Sequence, residues 1–430
     1  MKVFLVSLGC DKNRVDSEEM LGRLSAAGFS FTEDEYEADV IVVNTCCFID
    51  AAKEESIEAI LDMARMKTEG RCRKLIVAGC LSERYKDEII TELPEVDAYI
   101  GVKELDRLPE IIAEHDVSTD SFKRVLTTGG HYEFLKIAEG CNKRCTYCII
   151  PYVRGKYKSY PMEQLLEEAK FLADSGVKEL ILVAQETTIY GTDIYGRKAL
   201  PELLEKLCEI DGFRWIRLLY TYPEEINDEL LDVIARSPKI VNYLDMPIQH
   251  ISDKILKKMG RRTSSADIRN IIARIRQLIP DAAIRTSLIS GFPGETEADH
   301  AELVEFVKET AFDRLGVFTY SREEGTPAYN FPDQVDEDVK TARRDEIMSL
   351  QEQISAENLE HSVGRELEVF VEGFLPSDGV FVGRSYMDAP DVDGFVYFKS
   401  DYDLMSGDYV LVKINASSDY DLYGEMVEKI

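Results

Sequence analysis

The chain has 430 residues, a formal net charge of −30 and 45% apolar residues. That length fits two to four domains and a sizeable buried core, and a charge so negative works against nonspecific binding to nucleic acid, whose phosphates need a basic surface, while favouring a basic partner. The apolar runs are no longer than strands, so no membrane span is expected, and nine cysteines are too few, and odd in number, for a secreted disulfide scaffold.

The N-terminal apolar stretch is short and leads into a charged helix, so it reads as a first strand and not a signal peptide; this implies a cytoplasmic protein. Residues 1–116 then alternate strands (2–8, 39–44, 74–78, 96–100) with helices (16–27, 51–66, 83–92), the pattern of an open parallel α/β domain. Cys10, Cys46 and Cys80 each follow a predicted strand by one or two residues. In such a sheet, ligands bind beyond the carboxyl ends of the strands, so these three thiols can meet although seventy residues separate them. On placement alone, an iron–sulfur site and ordinary buried cysteines are equally good readings. Cys208 falls within an amphipathic helix pattern and reads as core.

Polar residues at 116–126 mark a linker. Residues 127–335 follow as strand–helix units, with strands at 134–139, 179–185, 214–220, 243–248, 283–289 and 313–319; this predicts a full or partial (β/α) barrel. The first strand leads into Cys141-Asn-Lys-Arg-Cys145-Thr-Tyr-Cys148. A four-iron cubane is usually held by four thiolates. A loop giving three leaves one iron open to a small molecule, and S-adenosylmethionine is the known partner for that arrangement in radical chemistry. A structural zinc site needs four ligands, and no Cys or His follows Cys148 closely enough to complete one.

Other strand ends on this rim are candidates for cofactor binding. Gln185 and Glu186 can hydrogen-bond an amino or ribose group, and the glycines of Ser290-Gly291-Phe-Pro-Gly294-Glu295 allow close backbone approach. The basic run around Lys257 and Arg262 reads as a solvated helix face. A polar helix at 337–360 precedes five short strands with period-two patterning in 361–430, an OB-like β-barrel. That last segment has 14 acidic and five basic residues, the wrong sign for RNA and the right sign for a basic protein.

Together, Ser7-Leu-Gly-Cys10, Asn44-Thr-Cys46, Gly79-Cys80, the Cys141–Cys148 loop and Gly291-Phe-Pro-Gly-Glu295 resemble the radical S-adenosylmethionine methylthiotransferases. The resemblance covers the whole chain. It implies a methylthiotransferase N-terminal domain (1–116), a radical core (127–360) and a C-terminal TRAM domain (361–430). It implies two 4Fe–4S clusters, one on Cys141, Cys145 and Cys148 with S-adenosylmethionine, the other on Cys10, Cys46 and Cys80 carrying the sulfur to be inserted. One branch of the family modifies a tRNA adenosine, the other an aspartate β-carbon of small-subunit ribosomal protein twelve. Cys148-Ile-Ile-Pro-Tyr-Val-Arg-Gly155, the segment 245–253 and the segment 383–394 are similar to the ribosomal-protein branch. The resemblance also implies an external one-electron donor such as flavodoxin or ferredoxin. The sequence departs from the family pattern at Cys47, where a small non-thiol residue is expected, and at Glu186, where Asp is expected.

Overall fold

The computed structural model describes residues 1–115, 117, 119 and 123–430, so the linker expected at 116–126 lies partly outside the described residues. The chain forms two compact units.

The first unit comprises Met1–Gly129, Ala138–Lys158 and Ser321–Tyr329. Its sheet has β1 (Lys2–Ser7), β2 (Ser30–Phe31), β3 (Val40–Thr45), β4 (Lys74–Gly79) and β5 (Ala98–Ile100), all parallel, in the order β2-β1-β3-β4-β5. Alternate residues serve opposite faces. Ile41, Val43, Leu75 and Val77 join one apolar cluster, whereas Val40, Val42, Ile76 and Ala78 join the other. Helix α1 (Asp11–Ala26) starts five residues before the predicted point, because its polar first turns carry no apolar stripe to announce them. Helices α2 (Asp50–Glu69) and α3 (Cys80–Glu92) follow β3 and β4. Residues 138–158 belong to this unit through Ile149 and Val153, which enter the first cluster beside Cys47, Cys80 and Leu81. The segment 321–329 is fastened by Glu323, which receives Lys53 at 3.0 Å and Arg84 at 3.2 Å, and by the Ala328 amide, which donates to the Thr146 carbonyl at 2.9 Å.

The second unit holds Gly130–Ile137, Ser159–Tyr320 and Asn330–Ile430. Six parallel strands, Tyr132–Lys136, Glu179–Val183, Trp215–Leu218, Ile240–Asp245, Ala283–Ser290 and Arg314–Thr319, pair in sequence order. The first and last do not pair, so the barrel is partial. Helix Glu337–Glu360 matches the predicted span and packs on the last two of these strands. The five strands of 366–429 close into a barrel, as predicted. That barrel meets the amino ends of the parallel strands through buried charges. Glu179, fully buried, accepts from Arg217 at 2.7 Å and from Arg384 at 2.6 Å; Arg384 also donates to Glu372 at 2.6 Å. Burial alone would raise the Glu179 pKa, but the two guanidiniums outweigh it and hold the carboxyl below its usual range. Among the described residues no helix is long and apolar enough to cross a membrane.

Candidate active site

Cys10, Cys46 and Cys80 lie at the carboxyl ends of β1, β3 and β4, as their placement after the predicted strands implies. Two glycines permit the arrangement. Gly9 has φ +90°, and a Cβ there would fall 2.7 Å from Cys46 Cβ; Gly79 has φ +93°, and its Cβ would fall 2.3 Å from Asn44 Oδ1. Only glycine tolerates both the left-handed backbone and the close approach. Cys10 is the N-cap of α1 and Cys80 the first residue of α3, so two helix N-termini, which favour negative charge, open at the triplet. Two asparagines fix the loops. Asn13 donates to the carbonyls of Leu8 (2.7 Å) and Thr45 (2.9 Å), and Asn44 donates to the Asn13 carbonyl (3.0 Å) and to Ser17 Oγ (2.8 Å). Ser56 on α2 accepts from the Cys46 amide at 3.0 Å.

The loop 141–148 presents the second triplet. The Lys143 amide donates to Cys141 Sγ at 3.4 Å, and the Ile150 amide hydrogen-bonds Cys148. In the first triplet the amides of Phe48 and Cys47 do the same for Cys46. Backbone N–H groups aimed at sulfur suit thiolates that carry a metal cluster. Burial pushes the free thiols of Cys46, Cys80 and Cys148 up, so loading a cluster must release their protons. Among the described residues, no three Cys, His, Asp or Glu side chains converge tightly enough for one metal ion. A cubane carries each thiolate on a separate iron, so its ligands stand further apart than around a single ion. The donor chemistry therefore fits 4Fe–4S clusters at both triplets.

Between the triplets lies Arg154, a residue that sequence reasoning missed. Its buried guanidinium donates to Asn13 Oδ1 (2.5 Å) and Asp16 Oδ2 (2.9 Å) on α1, and to Glu139 Oε2 (2.9 Å) just before the Cys141 loop. Burial disfavours its charge, but Asp16, Cys80 and Glu139 outweigh that and hold it charged. Its only sequence signal was its place in the stretch that follows Cys148. Cys47 supplies its backbone amide to Cys46, but its thiol turns away from the first triplet. Its thiol packs in the apolar core and donates to the Cys80 carbonyl at 3.2 Å, and burial pushes its pKa up to about 12.

In the second unit, Gln185 and Glu186 directly follow strand Glu179–Val183; Gln185 is half-buried and Glu186 fully buried. Gly291 (φ +73°) and Gly294 (φ +81°) turn the loop after strand Ala283–Ser290. Glu295 is engaged within that loop. Its Oε2 accepts from the amides of Gly291 (2.8 Å) and Phe292 (3.3 Å), its Oε1 accepts from Arg343 (2.9 Å), and His250 lies 3.6 Å away. Burial would raise its pKa, but His250 and Arg343 hold it below the usual carboxylate range. Its carboxylate thus braces the glycine loop. Tyr220 (φ +58°) and Gln249 (φ +71°) take the left-handed conformation just past two other strands, and such strain concentrates at functional rims.

Three family models match the chain: uncharacterized protein family UPF0004 over residues 2–101, the radical SAM superfamily over 135–307 and the TRAM domain over 363–427. The ribosomal protein uS12 methylthiotransferase RimO of Lachnoclostridium phytofermentans is 57% identical, with 99% of each chain covered. Its namesakes in Acetivibrio thermocellus and Clostridioides difficile are 52% and 48% identical, covering all of this chain and 99% and 100% of theirs. The chain belongs to the ribosomal protein uS12 methylthiotransferase family. It is a radical S-adenosylmethionine methylthiotransferase, with an iron–sulfur cluster and S-adenosylmethionine as cofactors. The radical S-adenosylmethionine methyltransferase TsrM of Kitasatospora setae, solved with cobalamin and a 4Fe–4S cluster, has the same fold at a TM-score of 0.55. It is 14% identical, with 89% of this chain and 80% of that chain covered.

Proposed function

We propose that this member of the family inserts a methylthio group at the β-carbon of an aspartate in ribosomal protein uS12, using two 4Fe–4S clusters. Cys141, Cys145 and Cys148 would hold one and Cys10, Cys46 and Cys80 the other. The observation that carries this reading is the pair of thiol triplets in one compact unit, each with backbone N–H donors on sulfur. When bound, the groups supply a carbon radical from S-adenosylmethionine at one site and the sulfur to be transferred at the other.

The remaining work falls to side chains. Gln185 and Glu186 would bind polar groups of S-adenosylmethionine. Gly291 and Gly294, whose positive φ turns the loop and whose Cβ sides are filled by the Lys340 and Lys258 side chains, would shape the rim beside it, while Glu295 braces that loop. Arg154 keeps a buried positive charge beside Cys80 and Cys10, which offsets the negative charge of cluster thiolates. The working divisions are a methylthiotransferase domain at 1–116, a radical core at 127–360 and a TRAM domain at 361–430. A cytoplasmic site of action follows from a ribosomal substrate.

The relatives' names and the acidic final domain support uS12 over tRNA. Of the five basic residues in 361–430, Arg384 is buried and Lys429 is paired with Asp408 at 2.6 Å, which leaves little positive surface for RNA. The test is anaerobic incubation of the reconstituted chain with S-adenosylmethionine, reductant and either uS12-containing subunits or tRNA, read by mass spectrometry. A methylthio group on the uS12 aspartate is expected; one on tRNA alone would refute the assignment.

A further inference from the structure

In a chain of net charge −30, the stretch from Gly140 to Met162 holds five Lys and Arg residues and no Asp or Glu. Arg154 is buried and engaged with Asn13, Asp16 and Glu139. Arg144, Lys156 and Lys158 are exposed, and they form no ion pair among the described residues. The other basic run behaves differently: Lys254 is paired with Asp299 at 2.6 Å, and Arg261 lies 3.7 Å from Glu224.

Backbone geometry brings the exposed cations to one place. The Cys141 amide donates to the Gly155 carbonyl at 3.1 Å, and the Tyr157 amide donates to Asn142 Oδ1 at 3.1 Å. A Cβ on Gly140 would fall 2.4 Å from the Lys156 carbonyl oxygen. The segments 140–142 and 155–157 therefore run side by side. Arg144 sits between Cys141 and Cys145 in the loop, and Lys156 lies beside Gly140 and Cys141, with Lys158 two residues further along the same segment. Tyr152, 63% exposed, adds an aromatic ring on the turn Ile150–Val153 of the same loop; aromatic and Arg side chains are enriched at protein interfaces.

We propose that this patch is the docking surface for an acidic electron-carrier protein of the flavodoxin or ferredoxin class. The proposal rests on the cluster reading of Cys141, Cys145 and Cys148. The overall negative field repels an acidic carrier, so productive encounter needs a local patch of opposite sign at the point of electron entry. The cysteine loop supplies that patch in its own sequence. The carrier is oxidised by one electron. That electron ends in the sulfonium C5′–S bond of S-adenosylmethionine, which breaks to methionine and a 5′-deoxyadenosyl radical, and no proton moves.

The test uses the full, reconstituted chain and the initial rate of 5′-deoxyadenosine formation at low salt. Reduced flavodoxin drives one arm and dithionite the other. For the triple variant Arg144→Glu/Lys156→Glu/Lys158→Glu, the flavodoxin-driven rate should fall about tenfold or more, while the dithionite-driven rate stays within about twofold of the unaltered chain. Added salt should slow the flavodoxin reaction of the unaltered chain and leave the variant's unchanged. The milder Lys156→Gln/Lys158→Gln should show the same selectivity, and it decides the matter if the triple variant does not hold its iron. Equal flavodoxin-driven rates in variant and unaltered chain would overturn the proposal. So would a defect confined to ribosome-dependent methylthiolation with dithionite, which would assign the patch to RNA. If the unaltered chain makes no deoxyadenosine even with dithionite, the cluster reading itself fails.

Discussion

The two cysteine triplets are built by opposite routes. Cys141, Cys145 and Cys148 lie within eight residues, and one loop with its own amides shapes their site. Cys10, Cys46 and Cys80 come from three strand ends, and they meet only because β1, β3 and β4 are adjacent in the sheet. A local site depends on its own loop; an assembled site depends on everything that holds its parts in register. Asn13, Asn44, Ser56, Gly9 and Gly79 do that holding, and Arg154 ties the assembled site to the stretch that carries the local one.

Cys145 should separate the two triplets with the largest effect. Cys145→Ala should abolish deoxyadenosine formation while leaving the assembled triplet's iron in place; deoxyadenosine made at the unaltered rate would refute the assignment. Cys46→Ala should lose roughly half the iron, since one of two cubanes goes. It should still cleave S-adenosylmethionine and yield no methylthiolated product. Iron analysis beside a cleavage assay separates the two triplets.

Arg154→Met sharpens the contrast between local and assembled. It removes the guanidinium that Asp16, Asn13 and Glu139 share in a buried setting, a loss of about 3–5 kcal/mol in the first unit. Iron should drain from the assembled triplet before the loop, followed by cluster absorbance during denaturant titration. Arg154→Lys keeps the charge but not the three-way reach, and should restore only part of the loss. Loss of iron from both triplets in parallel would show that Arg154 merely supports the fold. Gly9→Ala forces a side chain into a left-handed backbone position against Cys46, at a cost of about 1–3 kcal/mol, and should weaken iron binding only at the assembled site. The smallest effect is expected from Cys47→Ala. Its thiol lies in the core, so iron content should not change and stability should fall by about 1 kcal/mol.

Acid should expose a different dependence. Glu179 and Glu295 have pKa values held below the ordinary 4.5, so their stabilising contribution is complete above that value and is lost as pH falls through the depressed one. The second unit should therefore loosen below about pH 4.5, as followed by the fluorescence of Trp215, the chain's one tryptophan, which donates to Glu368 at 3.0 Å beside this network. Glu179→Gln should remove the Glu179 share of that step and leave the Glu295 share in place.

How much of this was legible in the sequence follows the same division. The loop triplet announces itself by spacing, and the six parallel strands and five barrel strands by apolar periodicity. The assembled triplet was visible only as a coincidence of three strand ends. What held it together was not visible, because Arg154 and its partners on α1 are about 140 residues apart in the chain and share no period or motif. The same holds for Glu323, whose partners Lys53 and Arg84 lie more than two hundred residues upstream. Glu295 was legible as part of a functional loop, but its direction was not; backbone amides and Arg343 draw it inward.

Two separate three-thiol cluster sites should hold twice the iron of one. The most direct measurement is iron and acid-labile sulfide per polypeptide after anaerobic reconstitution, for the unaltered chain and for Cys10→Ala/Cys46→Ala/Cys80→Ala. Roughly eight irons should fall to roughly four, with cleavage of S-adenosylmethionine retained. An unaltered chain that saturates at roughly four irons, or a triple variant that keeps the full complement, would contradict it.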